Sequence, residues 1–232
     1  MPTYSAVLFD FFGTLTMAVQ RGSQHAVVAR ILGCELTAMI SILDQSFRSR
    51  SRGVFGDAAA TLRWVCDQLG VDPTTRQVQA AVQARVAALS ADTTLRPDAV
   101  ATLSALRRRG LRTAVVSDCC HELPVLLPRL RVAPLLDAAV YSVDVGECKP
   151  HPAMYRRACE RLRVDPEQCL YVGDGGSREL TGATLLGMTA VRLAAPDLGR
   201  HLVFEADQDW TGPEVTSLSE TLDLVDHAPA LV

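Results

Sequence analysis

The chain is poor in what most specialised functions need. Its net charge is −3 over 232 residues, with no basic excess to attract nucleic acid. No apolar run approaches the roughly 18–20 residues that span a bilayer, so no membrane partner is expected. The first residues, Met1 to Ser5, carry no basic stretch ahead of an apolar one, so no secretory signal is expected. Seven cysteines make an odd number without a C-x-x-C pair, which excludes a zinc ribbon and speaks against a disulfide framework. The expectation is a reduced, cytoplasmic protein. Lysine is almost missing: of 23 basic residues only Lys149 is lysine. A lysine kept in such a background marks a place where a compact point charge suits and the broad arginine fork does not.

What is present is a hydrophobic fraction of 48%, enough for a sizeable core. Ser5-Ala6-Val7-Leu8-Phe9 runs directly into Asp10, then Phe11-Phe12-Gly13-Thr14-Leu15-Thr16. This predicts a buried strand ending on a carboxylate, with a tight turn at Gly13. An acid at the carboxyl end of a central strand sits where open α/β sheets bind ligands.

Residues from about 17 to 95 show only helical periodicity, over Gln24–Leu32, Leu36–Arg50, Asp57–Leu69 and Thr75–Ser90. After Pro97 strands and helices alternate. Strands are predicted at Thr113–Ser117, Ala138–Ser142, Cys169–Val172 and Thr189–Leu193. Helices are predicted between them, and a last one at Leu218–Val225. The rhythm predicts an α/β protein with a Rossmann-like parallel sheet covered on both faces. The helical stretch is an insert. The expected organisation is a core over 1–16 and 96–232 and an α-helical cap over 17–95.

Four predicted strand ends carry reactive side chains: Asp10 with Thr14; Ser117 with Asp118; Lys149-Pro150; and Gly173-Asp174-Gly175-Gly176-Ser177-Arg178-Glu179. Singly, each has a plain structural reading as a turn, cap or solvated loop residue. In this order and spacing they resemble the four motifs of the haloacid dehalogenase-like hydrolases. The resemblance implies a covalent aspartyl intermediate on Asp10. It implies a hydrogen bond from Ser117 to the transferring group, with Gly13, Thr14 and Asp118 around the substrate. Lys149 offsets the negative charge. The resemblance also implies Mg²⁺ held by Asp10, Asp174 and the carbonyl of Phe12, with Glu179 binding directly or through water.

One letter departs from the pattern. The superfamily's phosphatases have a second aspartate where this chain has Phe12, and that aspartate is their general acid and base. Three readings follow. The favoured one is a Mg²⁺-dependent phosphatase of a small phosphorylated metabolite, because Asp174 implies a metal and four nearby carboxylates need one. The alternative is a metal-independent 2-haloacid dehalogenase, whose motif also carries an aromatic here and whose halide leaves without a proton. The third is a non-catalytic protein that binds a phosphorylated ligand. A phosphonate-cleaving variant is excluded, since the insert has no lysine for a Schiff base.

Other residues are expected to be structural: Arg48, Arg50 and Arg52 a solvated helix face, Phe47, Phe55 and Trp64 packing of the insert, Cys119 and Cys120 small apolar filler. His121 is singled out as a substitute proton donor, with Asp118. Substrate identity and oligomeric state carry no motif.

Overall fold

The structure, a computed structural model, describes residues 4–201 and 204–227. Strand β1 (Ala6–Phe9) is buried at all four residues. β2 (Arg112–Ser117), β3 (Ala138–Tyr141), β4 (Cys169–Gly173), β5 (Thr189–Leu193) and β6 (Glu214–Val215) complete one sheet in the order β3-β2-β1-β4-β5-β6. Every pairing is parallel. Side chains alternate along β1, so Val7 and Phe9 join one apolar cluster while Ala6 and Leu8 join another on the opposite face. The chain passes from β1 to one side of the sheet and later returns to the other. The ends of β1 and β4 therefore flank the topological switch point, where open sheets leave a crevice.

Helices α1 (His25–Leu32), α2 (Leu36–Gln45), α3 (Phe47–Ser51), α4 (Ala58–Leu69) and α5 (Thr75–Asp92) fill the stretch before α6 (Ala99–Arg108). They bury an apolar cluster of their own, including Val28, Met39, Leu62, Val65 and Val78, distinct from both sheet-face clusters. Sequence alone accounts for most of their boundaries. Glu35 caps α2, Asp57 caps α4, and Thr74 with Gln77 forms a capping box on α5. The expected helix Leu36–Arg50 is two helices. The Ser46 hydroxyl bonds back to the Ile42 carbonyl at 2.6 Å and the backbone leaves helical geometry there.

The remaining helices are α7 (Glu122–Leu126), α8 (Ser142–Val145), α9 (Pro152–Leu162), α10 (Glu179–Leu185) and α11 (Thr221–Asp226). β6 and α8, of two and four residues, are too short for any periodicity to announce them. No single helix among the described residues is long and apolar enough to cross a membrane.

The two linkers of the insert run side by side. Thr16 bridges Leu95, Met17 N–H donates to the Thr94 carbonyl at 2.8 Å, and Arg96 N–H donates to Leu15 at 3.0 Å. A segment after β5 straps both. Asp197 accepts from the Ala18 amide at 2.7 Å and from Arg96 Nη1 at 2.8 Å. Arg96 also donates to the carbonyls of Gly13 and Thr14.

Candidate active site

Asp10 continues the β1 ladder, its N–H donating to Val172 of β4 at 2.9 Å, so its carboxylate rises from the switch point. The turn that follows needs Gly13, which has φ +79°. A Cβ there would lie 2.7 Å from His201 Nε2 and 2.9 Å from Asp174 Oδ2. Both backbone groups of Gly13 are engaged, the N–H by Thr16 Oγ1 at 3.0 Å and the carbonyl by Arg96. Its part in the site is therefore close approach and not hydrogen bonding.

Lys149 is 2% exposed and its ammonium lies between Asp10 Oδ1, at 2.5 Å, and Glu179. Burial alone would lower its pKa, but Asp10 and Glu179 outweigh burial and hold it well above the ordinary lysine value. Burial raises the Asp10 carboxyl to about 6 against the pull of Lys149, and Asp174 adds to the rise. Glu179 is fully buried. It accepts from Tyr171 at 2.8 Å and from the Gly175 N–H at 3.0 Å, and burial with Asp10 and Asp174 nearby pushes its carboxyl up. Asp118 accepts the Lys149 N–H at 2.9 Å. Its carboxyl too is raised, first by burial.

Oxygen atoms of Asp10, Asp174 and Glu179 lie within 4.8 Å of one another. Such a set of hard anionic oxygens, with one ammonium against it, suits a hard divalent cation. Two hydroxyls of the sequence-predicted set, Ser117 Oγ and Thr14 Oγ1, are buried without a partner. Neither residue lines the cavity described below, and the hydroxyls of Thr61 and Thr102 are unmet in the same way, so these two do not by themselves mark a ligand.

The loop carrying Asp174 is strained. Ser177 and Arg178 have φ of +54° and +50°, which non-glycine residues seldom adopt. Their amides donate to the carbonyls of Phe204 and Glu205, at 2.7 and 2.9 Å, which hold the loop in place. Strain of this kind concentrates at functional sites.

A cavity of about 190 Å³ joins these residues to the insert. Asp10, Asp118, Lys149, Asp174 and Glu179 line one end, together with the ring of Phe12, which packs edge-on against Phe11 at 4.9 Å. The insert supplies Arg21, His25, Arg50 and Arg85 to the other wall.

Arg50 corrects an expectation. It is 4% exposed and turned inward, donating to Leu43, Ser46 and Cys120, while Arg48 and Arg52 pair at the surface with Glu205 and Glu147. Residues two apart lie on opposite sides of a helix, so Arg50 turns inward where Arg48 and Arg52 face out. Phe55 and Trp64 stack on each other, as packing residues do, whereas Phe47 stacks on Phe204 and lines the cavity. Cys119 and Cys120 also line it; both thiols are raised by burial, Cys120 to about 11, as inert fillers are.

His121 does not line this cavity; its Nε2 meets the Gly56 carbonyl at 2.9 Å. Sequence reasoning missed two histidines that do, His25 and His201. The Val19 N–H donates to His201 Nδ1 at 2.9 Å, so the neutral ring carries its proton on Nε2, 3.4 Å from Asp174 Oδ2. No local motif marks either residue.

A parallel α/β enzyme fold with an acidic, lysine-braced site at the switch point is the class this geometry defines. The family profile of haloacid dehalogenase-like hydrolases matches residues 4–187, and the chain belongs to that family. A glyceraldehyde 3-phosphate phosphatase of Methanopyrus kandleri is 33% identical over 161 residues, covering 68% of each chain. An (S)-2-haloacid dehalogenase of Pseudomonas is 36% identical over 132 residues, 56% of this chain and 55% of that one. The solved L-2-haloacid dehalogenase of Xanthobacter autotrophicus, with chloropropionic acid covalently bound, superposes with a TM-score of 0.68. It is 21% identical and covers 97% of this chain and 100% of the other, a likeness of fold.

Proposed function

We propose that the protein is a Mg²⁺-dependent phosphatase of a small phosphorylated metabolite, acting through Asp10. The observation that carries this reading is the Asp10–Asp174–Glu179 cluster, three carboxylates set against the single ammonium of Lys149. Asp10, Asp174 and the Phe12 carbonyl would hold the ion, with Glu179 behind them as partner of Lys149. When bound, the cation offsets this charge and draws electron density from the transferring group.

The Asp10 carboxylate attacks phosphorus, the bond from phosphorus to the leaving oxygen breaks, and an aspartyl phosphate forms. Ser117 donates to a phosphoryl oxygen, and Lys149 keeps Asp10 ionised and oriented. Water then releases phosphate and returns the carboxylate. Phe12 cannot protonate a leaving alkoxide, so substrates whose leaving group departs as a stable anion, acyl phosphates among them, are favoured. Helices α1–α5, residues 17–95, act as a cap that keeps bulk water from the cavity. The free thiols suit a reducing, cytoplasmic compartment.

Turnover of acetyl phosphate and p-nitrophenyl phosphate, with Mg²⁺ and with EDTA, tests the reading. Turnover should vanish on chelation and return with Mg²⁺; chelator-insensitive hydrolysis rules it out. The second reading, metal-independent 2-haloacid dehalogenation, rests on Phe12. Halide release from 2-chloropropionate in EDTA would establish it, and none above background would dismiss it.

A further inference from the structure

Phe12 leaves the chemistry at Asp10 without a proton acceptor for the water that must release the intermediate. The insert side of the cavity holds one. His25, at the start of α1, lines the cavity, and its Nδ1 is buried with no partner. The ring is held from behind: Nε2 lies 2.9 Å from Oδ2 of Asp92, the last residue of α5. Asp92 is itself held. Its side chain is 6% exposed, and its Oδ1 accepts the Gly22 N–H at 3.0 Å. A carboxylate only accepts, so the neutral ring carries its proton on Nε2 and its lone pair on Nδ1. An unmet lone pair therefore stands in the cavity wall, on a ring whose tautomer and orientation are fixed. A carboxylate behind an imidazole is the arrangement that makes a base. Three other acceptors on the cavity wall are taken: His201 Nδ1 by the Val19 N–H, Glu122 by Arg85, and Glu179 by Lys149 and Tyr171.

We propose that His25 is the general base of the hydrolytic step, with Asp92 as its positioning residue. The direction of attack supports this. Displacement at phosphorus runs in line, so water arrives on the face that the leaving group has vacated, away from Asp10. Asp10 comes from the sheet, and His25 from the insert. Nδ1 takes a proton from the water, the hydroxide oxygen bonds to phosphorus, and the bond from phosphorus to the Asp10 oxygen breaks. Asp10 is again a carboxylate. The imidazolium so formed is offset by Asp92 and passes its proton to solvent. The neutral ring gives no help in the first step, because its proton on Nε2 is held by Asp92. This agrees with leaving groups that depart without protonation. The role deepens the phosphatase reading and rests on it.

Pre-steady-state turnover of p-nitrophenyl phosphate in Mg²⁺, with intact-protein mass spectrometry of quenched samples, separates the two steps. In H25N the p-nitrophenolate burst should reach one equivalent and the phosphorylated protein should accumulate. Its steady-state turnover should fall about a hundredfold, the lower end of what a general base contributes. D92N is the second variant, should the first not fold. Its amide donates to Nε2 and moves the ring proton to Nδ1, so the same step should slow at least tenfold. Turnover unchanged in both variants, or phosphorylation lost together with turnover in a folded variant, overturns the role of His25 and leaves the phosphatase reading standing. A wild-type protein that is never phosphorylated removes the phosphatase reading. In that event an aspartyl ester trapped in H25N by 2-chloropropionate keeps the base, and no trapped adduct of either kind overturns both.

Discussion

Lys149 is the residue on which the charge balance turns. It is enclosed, with Asp10, Glu179 and the Tyr171 hydroxyl around its ammonium. Arginine carries the same charge on a planar fork too wide for that space. Lys149→Arg should lower kcat at least a hundredfold with the fold retained, which steady-state kinetics and circular dichroism would show. Asp10→Asn keeps the shape of the nucleophile and removes its charge, and turnover should drop to background; full activity would show that Asp10 is not the nucleophile. Lys149 was legible because it is the sole lysine and precedes proline. Arg85 was not, since it is one of many arginines on a helix whose sequence has no marked apolar face.

At the scale of elements, two of the less exposed ion pairs help to fasten the insert to the rest, besides the surface pairs of Arg48 and Arg52. Arg96, 6% exposed, joins both linkers to Asp197 through four hydrogen bonds to Gly13, Thr14 and the carboxylate. Its truncation to alanine leaves buried carbonyls unmet and should cost about 2–4 kcal/mol. That is a fall in Tm of roughly 5–15 °C, measurable by calorimetry.

The second pair, Arg85–Glu122, ties α5 to α7. Burial would raise the Glu122 carboxyl, but Arg85 outweighs burial and holds it below the ordinary glutamate value of 4.5. A depressed acid contributes stability above its unfolded value that is lost as pH falls through the folded one. Stability should therefore decline below about pH 4.5, and E122Q should remove that part of the decline. The strap that holds Arg96 was not readable, because Asp197 lies 101 residues away along the chain.

For the whole molecule, the crowding of carboxylates at the switch point predicts coupling between metal and fold. A cation that binds only the folded chain stabilises it by about 2.7 kcal/mol at a hundred times its Kd. Mg²⁺ should thus raise the Tm of the wild type, and Asp174→Asn should lose most of that rise. Asp10 and Asp174 stand directly after apolar strands, whereas Glu179, at the start of α10, was marked only by the family pattern. Strands β1 to β5 and all the longer helices were legible too, since buried parallel strands read as continuous apolar runs and caps are local. The break at Ser46 and the strand β6 escaped, one being a side chain competing with its own backbone, the other a two-residue pairing made late in the chain.

The chain order of strand, insert and alternating βα units determined the parallel sheet, and with it the sheet edge that carries Asp10, Ser117 and Asp174. Asp10, Ser117 and Asp174 end or directly follow strands, and strand ends converge wherever the sheet is parallel; Lys149 comes to Asp10 from the loop after α8. Only the tertiary structure decided what faces them. His25, Arg50, Arg85 and His201 reach the same cavity from helices and loops up to 176 positions apart, oriented by partners such as Asp92, Glu122 and Val19. A helix face is chosen by what packs against it, and that choice is made only when the insert settles over the sheet.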